Sequence, residues 1–243
     1  MKNENKTWIY SLIIIGFVVL LADGCSKDDS NSTPSQLPIN GIYFNPNLTY
    51  GTMIDIDSNH YKTITIGTQT WMAENLKVSR YRNGEVIQKT ANQSTWRILT
   101  AGAYCNYNND NFNTVSYGNL YNYYAIADPR KICPLGWHLP SDNEWSTLTN
   151  YLGSFAGQKL KESGSAHWNT EYYVNGTNES GFTALPGGYR NSNGDYLKIS
   201  LYGNWWSSSS PTYLTLDAFS NFAHFFTAYE NDGISVRCLK DSI

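Results

Sequence analysis

The sequence predicts an α+β domain in which two short helices pack on twisted antiparallel sheets joined by long irregular loops. Three observations lead there. Alternating apolar residues flank tight turns, the pattern of hairpins. Helical signals are confined to two short stretches in the first part of the domain. Between them lie segments dense in Asn, Ser, Thr and Gly, without the strand–helix alternation of a parallel sheet and without an internal repeat.

The elements follow in order. MIDIDSNHYKTITIG alternates at Ile54 and Ile56, turns through Asp57-Ser58-Asn59, and alternates again at Ile64 and Ile66. This predicts a hairpin, which TQTWMAENLKV extends. Residues 79–116 read as irregular connections. GNLYNYYAIAD predicts a short helix stopped before Pro129. In CPLGWHLPSDNEW, Pro134 and Gly136 mark a turn and Trp137-His138-Leu139 is extended. Ser141 then precedes Glu144 by three residues, the capping-box spacing in which each side chain satisfies a backbone N–H of the other residue. Trp145, Leu148 and Leu152 form one apolar stripe of a helix, and Gly153 is placed to end it. Every residue of LPSDNEW thus has a local structural task. His138 has no second His or Cys at metal-ligand spacing, so the stretch reads as framework rather than reaction centre. AGQKLKES offers one more helical turn. GFTALPGGYR reads as a short strand entering a Pro-Gly-Gly bend. In the last segment Phe226 and Ala228 alternate before Asn231-Asp232-Gly233, and Ile234, Val236 and Cys238 after it, which predicts a second hairpin.

The first 40 residues are of another kind. Lys2 and Lys6 precede an apolar run from Trp8 to Ala22, short of the roughly 20 residues of a comfortable membrane span. LADGC, ending at Cys25, then resembles a bacterial lipobox, which implies lipidation of Cys25; Asp23 departs from the usual pattern. SKDDS resembles the signal that directs lipoproteins of the Bacteroidetes group to the outer face of the outer membrane. Residues 26–40 are rich in Ser, Asn, Asp and Pro and too poor in apolar groups to fold. The expected organisation is a lipoprotein signal peptide over 1–24, a disordered tether over 25–40 and a single domain over 41–243. The expected location is the outer membrane, on the cell surface.

Lys and Arg number 17 against 20 Asp and Glu, for a net charge of −3. Residues 1–24 hold two charges of each sign, so cleavage leaves that value unchanged. No basic block appears, which argues against nucleic acid. The 19 Tyr, 8 Trp and 9 Phe supply flat apolar surface, and Tyr and Trp add a polar handle, which suits recognition. Export implies an oxidising compartment, so Cys105, Cys133 and Cys238 suggest one disulfide and a spare thiol. Bridging Cys133 to Cys238 closes a loop of about 105 residues, worth about 4.7 kcal/mol on a chain-entropy argument. Cys105 to Cys133 gives about 3.5 kcal/mol. That difference does not decide the matter. The pair taken is Cys133 with Cys238, with the other left open.

Seven motifs occur in order: IGTQTWMAENL, GAYCNYNND, YGNLYNYYA, CPLGWHLPSDNEW, NESGFTALPGGYR, WWSSS and SVRC. Together they resemble the Fibrobacter succinogenes major paralogous domain over residues 55–241, a family that implies exported, often lipid-anchored surface proteins. GWHLPSDNEW and the closing GISVRC also resemble corners of the formylglycine-generating-enzyme group. That group shares an α+β core with C-type lectins, so the resemblance implies a C-type-lectin-like fold with its ligand site on long loops. The enzymatic version lacks its chemistry. Such oxidases hold copper with a closely spaced C-terminal cysteine pair, and Cys238 stands alone in that region. His60, His138, His167 and His224 are scattered, and neither H-E-x-x-H nor G-x-S-x-G occurs. The calcium signatures of C-type lectins are absent, and the oxygen-rich YNNDN and NGTNES suit turns. No catalytic residue, metal or cofactor is expected.

The expected function is therefore a lipid-anchored binding module, monomeric, that recognises a glycan or a surface protein through C-terminal loops. The alternatives are a structural or adhesive surface protein without glycan binding, and a relative of the formylglycine-generating enzymes. The candidate ligand-facing residues are Trp205, Trp206, Tyr213, Phe222, His224, Phe225 and Tyr229. Neighbours on a strand point to opposite faces, so one of Trp205 and Trp206 is exposed unless a second layer covers it.

Overall fold

The computed structural model describes residues 41–169, 171 and 175–242; the expected signal peptide, Cys25 and the tether lie outside them. Strands β1 (Gly51–Ile54), β2 (His60–Ile66) and β3 (Gln69–Met72) form the predicted antiparallel hairpin and its extension. Asp55 closes the first turn, its Oδ1 accepting the backbone N–H groups of Asp57 and Asn59 at 2.9 Å each. Ile56 falls in this turn rather than on a strand.

The stretch 79–116 is less irregular than its composition suggests. It contains β4 (Gln88–Lys89), α1 (Gln93–Arg97), β5 (Ala103–Cys105), a 3-10 turn (Tyr107–Asn109) and α2 (Asn111–Tyr117). β6 (Leu120–Tyr121) completes a small sheet with β4 and β5, and α3 (Tyr123–Ile126) is the helix expected before Pro129. β7 (Trp137–His138) leads into α4 (Asp142–Leu152), which carries the full capping box. Glu144 Oε2 accepts the Ser141 backbone N–H at 2.8 Å, and Ser141 Oγ accepts that of Glu144 at 3.3 Å. Gly153 ends α4 at φ 68°. A Cβ there would meet nothing within 4 Å, so the backbone angle, not space, demands glycine. α5 (Ala156–Leu160) follows, then β8 (Gly187–Arg190), β9 (Tyr196–Ile199), β10 (Tyr202–Trp206), β11 (Thr212–Asp217), β12 (His224–Thr227) and β13 (Leu239–Lys240).

The class is α+β with several antiparallel sheets, as expected, but three expectations are corrected. The described residues contain five short helices, not two. Four of them have seven residues or fewer, too short for a periodicity to show; Asn92, Asp110 and Asn122 mark three of these by capping them with side-chain oxygens. Near Pro186 the two glycines are the first residues of a strand, β8, instead of a bend that a strand runs into. The predicted C-terminal hairpin does not form. β12 pairs with β11, and β13 inserts between β3 and β7 in a five-stranded sheet ordered β1-β2-β3-β13-β7. Between β12 and β13 the chain makes single bridges, Gly233 to Arg190, Ile234 to Tyr121 and Ser235 to Trp205. The alternation of Ile234, Val236 and Cys238 reports burial of these residues, not pairing with Phe226.

β10 divides the core. Trp205 enters a cluster with Trp71, Trp145, Phe182, Leu214 and Leu239. Trp206 enters a second with Tyr61, Tyr121, Val236 and Cys238. Both indoles are fully buried, so a second layer covers the pair. A third, smaller cluster joins Trp96, Ala103, Cys105, Tyr107 and Leu120. The disulfide links Cys133 and Cys238, and Cys105 is a buried free thiol. Among the described residues no helix is long and apolar enough to cross a membrane.

Arg237 lies fully inside, its guanidinium 4.2 Å from the Phe182 ring centroid and 5.5 Å from that of Trp205. It donates to Asn75 Oδ1 at 2.8 Å, to the Phe182 carbonyl, and to the Thr183 carbonyl at 2.8 Å. Asn75 Oδ1 also accepts from Trp205 Nε1 at 2.8 Å. Replacing Asn75 with alanine strands two buried donors, each costing about 1–3 kcal/mol. We expect Asn75→Ala to lower unfolding free energy by about 2–4 kcal/mol in urea titration; a loss near that of a surface substitution would refute the network's role.

Candidate functional site

β12 is an edge strand, paired on one side by β11 in the register Tyr213↔Phe226, Leu214↔Phe225 and Thr215↔His224. Residues two apart on a strand share a face, so His224 and Phe226 stand with Tyr213. Ring contacts run continuously along this face. Phe155 meets Phe222 at 5.7 Å, Phe222 meets His224 at 6.4 Å, and His224 meets Phe226 at 6.3 Å. Phe226 then meets Tyr213 at 6.1 Å, and Tyr213 meets the buried Trp206 at 6.5 Å. Phe222, just before β12, is 54% exposed, and Phe226, on it, 52%.

Of the seven predicted ligand residues, the structure brings Tyr213, Phe222 and His224 into this row. Phe225 is exposed but alternates to the opposite face, and Tyr229, 74% exposed, lies past the end of β12. Trp205 and Trp206 are removed from the set, because both are sealed in the core, with indole N–H groups held by Asn75 Oδ1 and the Tyr121 carbonyl. Sequence reasoning missed Phe226 and Phe155 as surface residues. Phe226 was detectable as the second residue after His224 on a strand; Phe155 joins the row only through tertiary contact.

His138 and Glu144 do converge, but as a clasp. His138 Nε2 lies 2.8 Å from Glu144 Oε1, and Nδ1 lies 2.7 Å from Asp241 Oδ1. Partial burial disfavours the imidazolium, but the bonds to Asp241 and Glu144 outweigh it and raise its pKa above 6.5. For Glu144, burial is outweighed by the bonds from Ser141 and His138, which hold its carboxyl below 4.5. Two carboxylate partners favour the cation, and with both ring nitrogens so engaged neither is left open to a metal. A cleft of about 550 Å³ adjoins Glu144 and Asp241, yet His138 does not line it. Among the described residues no group of three or more His, Cys, Asp or Glu is placed to hold a metal ion. The clasp ties the residue after β13 to the start of α4.

Its pH dependence has a defined sign. The raised His138 pKa contributes stability that is full below 6.5 and lost as pH rises through the folded-state value; the lowered Glu144 pKa contributes stability present above 4.5 and lost as pH falls through its own. The clasp is strongest between these limits. We expect stability to decline from pH 6 to pH 9 by no more than about 1 kcal/mol, given the exposure of the groups, and His138→Gln to flatten that part of the profile. Parallel thermal-melting profiles for both proteins would exclude the clasp.

No curated protein and no solved structure matches the chain. The profile of the Fibrobacter succinogenes major domain matches residues 64–240. That span takes in β3 through β13, the disulfide and the clasp from His138 to Glu144, and the chain belongs to the Fibrobacter succinogenes major domain family.

Proposed function

We propose that the domain is a non-enzymatic binding module of C-type-lectin-like architecture that takes a glycan or a surface protein on the aromatic row beside β12. The observation that carries this reading is the row itself: half-exposed rings in continuous contact, anchored at one end on Trp206. Rigid rings offer stacking area at low entropic cost, and a contiguous exposed group such as Phe222, Phe226 and Phe155 marks an interaction surface. Saccharide C–H faces stack well on such rings, which favours a glycan. The return of β13 beside β3 supports the lectin-like architecture. With a signal peptide over 1–24 and lipid on Cys25, the tether would present this row at the outer membrane surface as a monomer.

Full-length protein in mild detergent is tested on arrays of plant, host and bacterial glycans. We expect a bound set, and a loss of about tenfold or more when Phe222 and Phe226 are both changed to serine, with unfolding unchanged. No binding above background, or equal binding by the variant, would refute the reading. A fatty-acid analogue fed to expressing cells is expected to label the protein and to leave Cys25→Ser unlabelled; labelling of both would refute the anchor.

A further inference from the structure

We infer that a second ligand site lies in the polar cleft between β4, β5 and α2, and that it takes a saccharide bearing a carboxylate, such as an oligouronate. It shares no residue with the aromatic row and does not depend on it. The cleft holds about 410 Å³ and is walled by Lys77, Lys89, Tyr104, Asn106 and Asn111 among others, a size within the range of small-molecule sites.

Its charge is the first indication. Two lysines line the cleft and no Asp or Glu does, in a chain whose net charge is −3. Lys77 Nζ is paired with Glu74 at 3.3 Å. Lys89 is different. Its Nζ donates to the neutral Asn111 Oδ1 at 3.0 Å, and among the described residues no carboxylate lies within ion-pair distance of it. An ammonium has three donors, so Lys89 retains capacity for an incoming anion.

The second indication is independent of charge. Asn106 is 3% exposed and lines the cleft. Its Nδ2 donates to Thr114 Oγ1 at 2.5 Å and to Asn119 Oδ1 at 2.8 Å, and Asn119 in turn donates to the Lys77 carbonyl at 2.8 Å. This chain fixes which end of the Asn106 amide is oxygen. That oxygen has no hydrogen-bond donor. It is sealed from solvent and is not offered to a ligand; what the bonded amide does is hold Thr114 and Asn119 fixed along the wall of the cleft, so hydroxyls are read at the rim. Asn111 Nδ2 and Asn59 Oδ1 add a donor and an acceptor at the rim, a pairing that suits hydroxyls. The half-exposed Tyr104 ring offers an apolar face to a sugar. A carboxylate for Lys89, hydroxyls for the amides and a C–H face for the tyrosine together describe an acidic sugar.

The test titrates full-length protein in mild detergent with trigalacturonate, a neutral galactose trisaccharide and inorganic phosphate, by calorimetry and by amide chemical shifts. We expect trigalacturonate to bind and to shift the resonances of Lys89 and Asn111, with the neutral trisaccharide at least about tenfold weaker. Lys89→Gln, at an exposed position, is expected to weaken trigalacturonate at least about tenfold, and Asn111→Ala to weaken it too. Phe226→Ser is expected to leave it unchanged, which separates failure of this site from failure of the aromatic row. Absence of trigalacturonate binding, equal affinity for the neutral trisaccharide, or full affinity in Lys89→Gln would overturn the proposal. Phosphate binding as tightly as trigalacturonate would overturn it as well, by reducing the cleft to an anion patch.

Discussion

An arginine cation enclosed without a carboxylate partner is the constraint around which this fold is arranged. Burial pushes the Arg237 pKa down to about 9, with Glu74 and Tyr50 acting in the opposite sense, and the cation's donors and faces are occupied within the fold. One acceptor is Asn75, two are carbonyls of the Phe182–Thr183 loop, and the faces are covered by Phe182 and Trp205. Each partner comes from a different motif: Asn75 from WMAENL, Phe182 and Thr183 from GFTAL, Trp205 from WWSSS, Arg237 from SVRC. Four of the motifs, far apart in the chain, thus meet in one place. Arg190 repeats the device, donating to the carbonyls of Thr90, Ala91 and Gly194 and lying against Trp96 and Tyr196. Neither arginine has a carboxylate within ion-pair distance among the described residues. A guanidinium tolerates this because it is weakly hydrated and its donors form a rigid fork.

The aromatic residues divide into two populations with different work. All seven tryptophans among the described residues are buried. Most are hydrogen-bonded at the indole nitrogen, as Trp96 is to the Asn231 carbonyl at 2.6 Å and Trp168 to the Ala184 carbonyl at 2.9 Å. Tryptophan here acts as a long apolar beam with one fixed end, spanning layers that no aliphatic side chain could bridge. The exposed rings are phenylalanines and tyrosines. A high aromatic content therefore says that large rings are needed, without saying on which side of the surface they lie.

Much of the fold was readable wherever the controlling interaction is local. The capping box of Ser141 and Glu144, the turn closed by Asp55 and the helix stop at Gly153 each rest on residues no more than four apart. Short helices were missed because one turn has no period, although Asn92, Asp110 and Asn122 advertise their starts. The C-terminal hairpin was misread because alternation at Ile234, Val236 and Cys238 is the same whether the other strand is a neighbour or lies more than a hundred residues away. Trp205 and Trp206 were misplaced for a related reason. Opposite faces were correctly inferred, but the layer that covers the second face is built from Tyr61, Tyr121 and Val236, which nothing near residue 205 announces. The polar cleft was invisible for the same cause, since Lys89, Asn106 and Asn111 are assembled by a parallel pair and a small helix.

The unpaired thiol has a consequence for how the chain keeps its covalent form. The three cysteines among the described residues allow three single bridges, and two of those would engage Cys105. In the finished structure Cys105 is sealed beneath Trp96, Tyr107 and Leu120, and burial pushes its thiol up to about 11, which leaves almost no nucleophilic thiolate. Once the chain is folded, the Cys133–Cys238 bond is thus guarded against exchange by the tightness of the smallest cluster. Loosening that cluster would free a competing sulfur, and a packing defect there would become a wrong bond rather than a mere loss of stability.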